Sequence, residues 1–401
     1  MNAFRERLAR RVEMHRAVVE RPNLVDPRWY NGIFERYVHP VVEAEHVPLG
    51  WRYDLDERSN PMLLERLGIN CVFNPGAMCY RGKLLVMCRV EGVDRKSFFA
   101  VAESDTGIDN FRFWDDPIQI PALPGDEDTN VYDMRLTEHQ DGFIYGVFCS
   151  EKPDPDDPNE AWARAGIVRT RDLKHWERLP NLETPSRQQR NAVLHPEFVN
   201  GRYAFYTRPQ ESFLATSEGE SGIGWGLAKD ITHPVIENEK IIDERYYHSI
   251  KDSKNGQGPA PIKTPDGWLH IGHGVRGCAA GLRYTVYAFM TRLDDPSEPL
   301  YQPGGHLIAP LFDERVGDVS NVVFINGWAQ RGDQLFLYYG SSDTRIHVAT
   351  SSVERLVDYC KNTPPDGRNS AACAEQRRAL AHKNRKLVTQ SDDPLLKSAL
   401  G

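Results

Sequence analysis

The sequence has no long apolar run. None approaches the roughly 18–20 residues that a membrane-spanning helix needs, and the first residues, MNAFRERLARRVEMHRAVVERPN, carry a charge every few positions. We therefore expect neither a transmembrane helix nor a signal peptide. Lys and Arg number 49 against 57 Asp and Glu, which gives a formal net charge of −8. Nucleic acids and anionic membranes attract basic surfaces, so this charge argues against both as the main partner.

Paired cysteines are also missing. The seven cysteines are an odd number, they are scattered, and none forms a C-x-x-C pair. Several lie inside apolar, strand-like runs, which is typical of buried free thiols in a reducing compartment. We therefore predict a cytoplasmic protein. A zinc or redox site is the alternative, and the cysteine spacing gives it no support.

Several motifs of known chemistry do not occur. The histidines are isolated, without H-E-x-x-H or C-x-x-C…H spacing, so no metal site is predicted. No P-loop is present, which argues against a nucleotide whose phosphates are held by such a glycine-rich loop. The missing G-x-S-x-G elbow weakens a serine hydrolase. We expect no metal and no organic cofactor.

The two ends of the chain have helical patterns. Phe4, Leu8, Val12, His15 and Val19 recur at helical spacing near the start. The apolar residues of 353–360 follow the i, i+3, i+4, i+7 pattern near the end, and a third helix is predicted around 371–384. We therefore predict an N-terminal helical extension over 1–50, a β domain over 51–350 and a C-terminal helical extension over 351–401.

Between residues 70 and 350 one short pattern recurs five times. A glycine at a turn is followed by six to eight alternating aromatic and aliphatic residues, and a short strand precedes each copy. The copies begin 60, 59, 66 and 65 residues apart, at Gly82, Gly142, Gly201, Gly267 and Gly332. Near-equal spacing predicts an all-β fold, a five-bladed β-propeller with one four-stranded sheet per repeat. A β-sandwich or two stacked β domains are the alternatives.

Polar residues occupy equivalent ends of the repeated hairpins. In a propeller the innermost strands converge on a central channel, and function collects at one mouth of it. The first strands begin with Asn74-Pro75, Asp133, Asn191, Gly258-Pro259 and Asn321, and the second strands end in Arg89, Arg208, His273 and Asp343. If the repeats form blades, these side chains meet at one mouth.

Asp133 is the candidate catalytic acid. It follows Val131-Tyr132 and precedes Met134 in a strand that otherwise reads as buried. A buried carboxylate is costly unless it is paired or its pKa is raised, and a raised pKa makes it a general acid. The structural alternative is an Asp that caps a turn or pairs with Arg135.

A set of basic residues predicts an anion site. Its members come from successive repeats, and any one of them could be a solvated or salt-bridged surface residue. Together they would bind an oxyanion, most simply phosphate, through charge-assisted hydrogen bonds. The set comprises Arg190, Arg208, Lys254 and His273, with Tyr284.

These motifs resemble glycoside hydrolase family 130, the β-mannoside phosphorylases, which are five-bladed propellers. The similarity runs over roughly residues 50–355 and is strongest in NPGAM at 74–78, RVEG at 89–92, NVYDMRLTE at 130–138, KNGQGPAPIKTPDGWL at 254–269, HGV at 273–275 and SDT at 342–344. Within the family it points to the branch acting on β-1,4-mannosyl-glucose. The implied reaction is inverting phosphorolysis, with inorganic phosphate as co-substrate, to α-mannose 1-phosphate and glucose.

The resemblance also implies roles for residues. Asp133 matches the family's single catalytic acid, which is thought to pass its proton through the mannosyl 3-hydroxyl. The positions that match phosphate contacts are Arg190, Arg208, Lys254, His273 and Tyr284. The substrate-binding positions are Asn74, Arg89 and Asp343, which match contacts to the mannosyl ring, with Asn191 beside the phosphate set. Family members also suggest a homo-oligomer, with a hexamer as the candidate size.

Other functions stay open at this point. The same mechanism could act on mannooligosaccharides or mannosyl-N-acetylglucosamine, because acceptor choice depends on loops such as 93–97, 121–130 and 211–226. A β-mannoside hydrolase would need a second carboxylate as base, which phosphorolysis does not. A third class is a non-catalytic propeller that binds a carbohydrate or a protein.

Overall fold

The computed structural model describes residues 2–125, 127–210, 221–279 and 281–400. Within these residues the strands form five antiparallel sheets arranged as a five-bladed β-propeller, which confirms the fold predicted from the repeats. Each sheet contacts the next, and the innermost strand of the fifth contacts that of the first, so the ring is closed. None of the described helices is both long and apolar enough to cross a membrane.

The elements follow the chain in order. The N-terminal segment contains α1 (Ala3–Val19), β1 (Val25–Tyr30), β2 (Glu35–Tyr37) and α2 (Leu49–Arg52). Blade I comprises β3 (Ile69–Tyr80), β4 (Lys83–Gly92), β5 (Ser97–Ser104) and β6 (Arg112–Phe113). Blade II comprises β7 (Asn130–Glu138), β8 (Ile144–Pro153), β9 (Ala161–Thr170) and β10 (Glu177–Leu182).

The remaining blades have five strands each. Blade III comprises β11 (Val193–Leu194), β12 (Tyr203–Thr207), β13 (Gly222–Asp230), β14 (His233–Ile236) and β15 (Lys240–Glu244). Blade IV comprises β16 (Lys254–Gln257), β17 (Ile262–Thr264), β18 (Gly267–Cys278), β19 (Gly281–Thr291) and β20 (Pro299–Tyr301). Blade V combines β21 (Val323–Arg331), β22 (Gln334–Ser341) and β23 (Arg345–Ser352) with β1 and β2.

Each blade is buried on both faces, which explains why its strands are almost continuously apolar. A separate apolar cluster fills each of the five interfaces between neighbouring blades. For example, Leu269 and Val286 of blade IV share a cluster with Ile325 and Leu337 of blade V. The ring is thus held together by sheet-on-sheet packing, with apolar burial as its main stabilising term.

The N-terminal segment differs from the helical extension predicted over 1–50. Only Ala3–Val19 forms a long helix there, whereas β1 and β2 join the last blade in the order β1-β2-β23-β22-β21. Glu35 pairs with Thr350 and Arg36 with Ala349. These strands are short and largely polar, so the alternation that marks the other strands is absent from their sequence.

The C-terminal segment is helical, in line with the sequence pattern. The helices are α3 (Val353–Asn362), α4 (Ser370–Thr389) and α5 (Pro394–Ser398). Helix α3 buries Leu356, Val357 and Cys360 against the blade IV–V interface, whereas α4 has no buried residue. All seven cysteines are free thiols.

Three inner strands carry a β-bulge, and the bulges of β3 and β7 hold two of the predicted site residues. The pairing register shifts between Phe73 and Gly76 in blade I and between Tyr132 and Arg135 in blade II. Asn74 and Asp133 lie in these bulges with φ of 45° and 59°. Asn and Asp tolerate the left-handed region better than most residues, and bulges commonly re-aim a side chain next to a functional site.

Candidate active site

The two bulges bring Asn74 and Asp133 together. Asn74 Nδ2 donates a hydrogen bond to Asp133 Oδ1 over 3.2 Å. Both residues are buried, with 4% and 9% of their surface exposed. The carboxylate predicted as catalytic is therefore held inside the ring by a side chain from the neighbouring blade.

Arg89 approaches the same carboxylate oxygen from β4. Its Nη1 lies 3.4 Å from Asp133 Oδ1, and its Nη2 donates to Glu91 Oε2 over 2.9 Å. The guanidinium is also sandwiched between the rings of Phe73 and Tyr132, with centroid distances of 4.3 and 4.7 Å. Stacking and ion pairing together fix the orientation of Arg89.

Arg135 does not hydrogen-bond the Asp133 carboxylate, so the pairing expected under the structural alternative is not the one observed. Its guanidinium donates to the Asp133 backbone carbonyl over 2.9 Å, to Asn191 Oδ1 over 2.7 Å and to the Gly258 carbonyl over 3.2 Å. Burial lowers the pKa of Arg135 to about 10. Arg135 thus ties blades II, III and IV together behind the site and leaves the carboxylate to Asn74 and Arg89.

Asp343 adds a second carboxylate from the turn between β22 and β23. Asp343 and Ser342 both have left-handed backbones, with φ of 50° and 47°. Burial, and then the charge of Asp133, raise the pKa of Asp343 to about 7, while Arg89 acts in the opposite direction. The sequence offers no obvious partner carboxylate for Asp133, whereas the structure places Asp343 within its electrostatic range.

The cationic part of the site contains Arg208, whose partner is the imidazole of His273. Arg208 Nη1 donates to His273 Nε2 over 3.2 Å. His273 is fully buried, and its ring packs on Phe324 at 4.5 Å between centroids. Burial lowers the pKa of Arg208. Among the described residues, no carboxylate forms an ion pair with Arg208.

Lys254 and Tyr284 complete this cationic part from blade IV. Lys254 Nζ lies 5.4 Å from the centre of the Tyr284 ring, and that ring stacks on His273 with centroids 6.3 Å apart. Burial, then the charges of Arg208 and Arg190, lower the pKa of Lys254 to about 7. Within the described chain Lys254 also has no ion-pair partner. Burial raises the pKa of Tyr284 to about 12.

Arg190 is a cation with an internal partner. Its Nη1 donates to Tyr132 Oη over 2.7 Å and to Glu151 Oε2 over 3.0 Å. Tyr132 Oη in turn donates to Glu151 over 2.6 Å. Since Tyr132 also stacks on Arg89, this network joins the carboxylate part of the site to its cationic part.

The structure brings all ten predicted site residues into one contiguous region. The sequence does not point to three further residues of this region. Two are the carboxylates that pair with arginines, Glu91 with Arg89 and Glu151 with Arg190. The third is the residue of blade V that is equivalent to Asn74. That residue is Asn326, not Asn321, because the β21 bulge falls between Ile325 and Gly327 and Asn326 Nδ2 donates to the Asn74 carbonyl over 3.2 Å. Glu91 and Glu151 lie in the last residues of β4 and β8, and nothing in their local sequence distinguishes them from surface carboxylates.

One group of potential metal ligands lies among the described residues. The ligand atoms of Cys71, Glu91 and Asp318 are all within 4.8 Å of one another. The amide of Asn70 donates to Asp318 Oδ2 over 2.6 Å and to Glu91 Oε1 over 3.4 Å, and Glu91 is also paired with Arg89. The carboxylates of this group thus already have protein partners.

The loops predicted to select the acceptor are described only in part. Residues 93–97 form the turn between β4 and β5, and 121–130 lead into β7 except for residue 126, which lies outside the described residues. Of 211–226, residues 211–220 also lie outside them, and the remainder begins β13.

The chain is similar to proteins of known activity. The chain is 56% identical over 396 residues to the 4-O-beta-D-mannosyl-D-glucose phosphorylase of Bacteroides fragilis, covering 97% of this chain and 100% of that one. It is 28% identical over 335 residues to the beta-1,4-mannooligosaccharide phosphorylase of Ruminococcus albus, covering 78% and 91%.

A solved structure has the same fold. The beta-1,2-mannobiose phosphorylase of Listeria innocua superposes with a TM-score of 0.62 at 20% identity, covering 75% of this chain and 94% of that one. The model of family 130, described as beta-1,4-mannooligosaccharide phosphorylase, matches residues 53–362. The resemblance seen in the sequence motifs is thereby confirmed, and the chain belongs to glycoside hydrolase family 130.

Proposed function

We propose that the protein is an inverting glycoside phosphorylase that cleaves β-1,4-mannosyl-glucose with inorganic phosphate, releasing α-mannose 1-phosphate and glucose. The observation that carries this proposal is a pair of partly buried cations, Arg208 and Lys254, with which no carboxylate of the described residues forms an ion pair. A relative of 56% identity bears the name of this activity.

The electrostatics of the cationic part favour a bound dianion. A buried charge without a counter-charge costs several kcal/mol, even after relaxation. Here burial lowers the pKa of both Arg208 and Lys254, and the charge of Arg190 lowers both pKa values further. A phosphate dianion would restore the missing negative charge and accept hydrogen bonds from Arg208, Lys254 and Tyr284. Arg190 and His273 would complete its surroundings.

Asp133 is proposed as the general acid. It stands at the junction of blades I and II, and Arg89 and Asn74 hold it in a fixed orientation. The mannosyl ring would lie against Asn74, Arg89 and Asp343, with Asn191 at the border of the phosphate site. A phosphate oxygen then attacks the anomeric carbon while the bond to the glucose O4 breaks.

The proton for the leaving oxygen comes from Asp133, through the mannosyl 3-hydroxyl as the family resemblance implies. Asp133 is reprotonated by the proton that hydrogen phosphate carried into the reaction, since the product ester is released as a dianion. No metal or organic cofactor takes part in this scheme. The protein's contribution is orientation and preorganised charge.

A hydrolase is the second candidate, and Asp343 is the observation that favours it. An inverting hydrolase uses one carboxylic acid and a second carboxylate that activates water. Asp343 is a partly buried carboxylate, and desolvation together with the charge of Asp133 raises its pKa to about 7. Against this candidate, a water nucleophile leaves the charges of Arg208 and Lys254 uncompensated.

One experiment separates these functions. The pure protein is incubated with β-1,4-mannosyl-glucose, with and without inorganic phosphate, and the anomeric carbon and phosphorus are followed by NMR. Formation of α-mannose 1-phosphate only with phosphate supports the proposal. Free mannose in both tubes indicates a hydrolase. Turnover only of β-1,4-mannooligosaccharides or mannosyl-N-acetylglucosamine would keep the mechanism and change the acceptor, and binding without turnover would indicate a non-catalytic propeller.

We also propose that the enzyme is cytoplasmic and forms a homo-oligomer, with a hexamer as the candidate size. Seven free thiols favour a reducing compartment.

The argument for an oligomer comes from helix α4. Helix α4 buries none of its residues, and Leu380 and Leu387 are exposed on it at a seven-residue spacing. Light scattering after size-exclusion chromatography tests the oligomer, and a monomeric mass would reject it.

A further inference from the structure

The turn that carries Asp343 is strained and must be held from outside. Ser342 and Asp343 are consecutive non-glycine residues in the left-handed region. Each such residue costs free energy, and the conformation persists only where the surroundings over-determine it. The position of a substrate-facing carboxylate therefore depends on whatever clamps this turn.

The clamp is the loop of residues 309–322. Ser342 N donates to the Val322 carbonyl over 2.9 Å, and Ser342 Oγ donates to the Glu314 carbonyl over 2.7 Å. Val319 N donates back to the Ser342 carbonyl over 3.2 Å. A Cβ on Gly317 would lie 2.4 Å from that same carbonyl oxygen, so the loop packs against the turn without space for any side chain.

The loop is held in turn by one buried carboxylate. Glu314 Oε2 accepts from Arg36 Nη1 over 2.6 Å and from Leu311 N over 2.9 Å, while Glu314 Oε1 accepts from Tyr339 Oη over 2.7 Å. The second Arg36 nitrogen, Nη2, donates to the Ala309 carbonyl over 2.8 Å. Arg36 and Glu314 are 5% and 8% exposed. Arg36 thus fixes the start of the loop and its clamping residue together.

Arg36 lies on β2, the N-terminal strand that pairs with β23 in blade V. We infer that the Arg36–Glu314 ion pair is a positioning device for Asp343, by which the N-terminal segment that completes blade V also sets the mannosyl side of the active site. This inference rests on the proposed function for the role of Asp343. Arg36 itself touches no substrate.

The test compares two ion pairs of the N-terminal segment. Arg36→Met removes the positioning contact, and Arg52→Met removes the Arg52–Glu65 pair, whose 2.6 Å contact is made outside the site. Both variants should lose thermal stability. Only Arg36→Met should raise KM for the mannoside, by tenfold or more, with KM for phosphate within twofold of wild type. Arg36→Lys should recover part of the loss, because Lys reaches Glu314 but not Ala309 as well.

If Arg36→Met folds poorly, a milder variant still tests the inference. Tyr339→Phe removes one hydrogen bond to Glu314 and should shift the mannoside KM in the same direction by a smaller factor. Equal kinetic changes in Arg36→Met and Arg52→Met would overturn the inference. A crystal structure of Arg36→Met decides it independently of turnover: we expect the Ser342–Asp343 turn to have moved, and an unmoved turn rejects the inference. Absence of phosphorolysis by the wild type rejects only the proposed function.

Discussion

Arg208 donates its hydrogen bond to Nε2 of His273, and this contact makes the buried imidazole neutral. A guanidinium has no acceptor, so Nε2 must be unprotonated and the proton must be on Nδ1. Burial, then the charge of Arg208, lower the pKa of His273. The sequence alone groups His273 with the cations, whereas in the folded chain it supplies a directed donor on Nδ1. That nitrogen has no protein partner among the described residues.

Replacement of the proposed acid should separate chemistry from binding. Asp133→Asn keeps an oxygen that can accept from Arg89 and Asn74, and Asn tolerates the left-handed backbone. We expect kcat to fall by about 10²–10⁴-fold, the range for loss of a general acid. Phosphate affinity, measured by calorimetry, should change less than twofold. Full activity would remove Asp133 from the mechanism.

Removal of the Lys254 charge should weaken phosphate binding without harming the fold. Lys254→Met deletes a partly buried cation that has no ion pair among the described residues, so we expect a melting temperature equal to or above that of the wild type in phosphate-free buffer. KM for phosphate should rise at least tenfold, with the mannoside KM unchanged. The matched control is Lys263→Met, which removes a half-exposed lysine paired with Glu197. A rise in the mannoside KM alone would mean that the phosphate site is misplaced.

Phosphate affinity should fall as the pH rises above about 7. The lowered pKa of Lys254 means that the ammonium is present below pH 7 and lost above it in the phosphate-free enzyme. If phosphate requires the charged form, its apparent KM increases by about tenfold per pH unit well above that pKa. Lys254→Arg keeps its charge at all these pH values and should flatten the profile. The ionisation of phosphate affects both enzymes equally. The ratio of their KM values for phosphate at each pH therefore reports the titration of Lys254 alone, and a ratio that does not change with pH would contradict the prediction.

A single methyl group should disturb Asn74. A Cβ on Gly340 would lie 2.3 Å from Asn74 Oδ1 and 3.0 Å from its backbone nitrogen. Gly340→Ala should therefore displace Asn74 from Asp133, lower mannoside turnover at least tenfold and destabilise the fold by about 1–3 kcal/mol, as overpacking does. Gly50→Ala, where a Cβ meets nothing within 4 Å, is the control. Retained turnover would show that the Asn74–Asp133 contact is dispensable.

The sequence predicts the blades well because each of them repeats the same local signal. A turn glycine followed by an apolar strand recurs five times, and sheet packing on both faces demands that pattern wherever a blade forms. The polar residues at the strand ends then follow from the geometry of a ring. This is why Asn74, Arg89, Asp133, Arg208 and Asp343 converge although up to 269 residues separate them.

Other features depend on contacts that no local pattern carries. The strands β1 and β2, which complete blade V, are largely polar, and their assignment follows only from the pairing of β2 with β23. Glu151 looks like a surface carboxylate until Arg190 and Tyr132 are seen beside it. Arg135 is two residues from the acid in sequence, yet its hydrogen bonds go to the backbone carbonyl of Asp133 and to blades III and IV, and none goes to the carboxylate.

The pairing of β2 with β23 also sets an order of events during synthesis. Glu35 is translated about 300 residues before its partner Thr350, a delay of roughly 15–60 s at 5–20 residues per second. Throughout that time β23, the strand with which β2 pairs in the folded protein, has not been synthesised. Arg36 and its neighbours therefore stay unpaired with blade V until β23 has left the ribosome, and only then can this blade be completed.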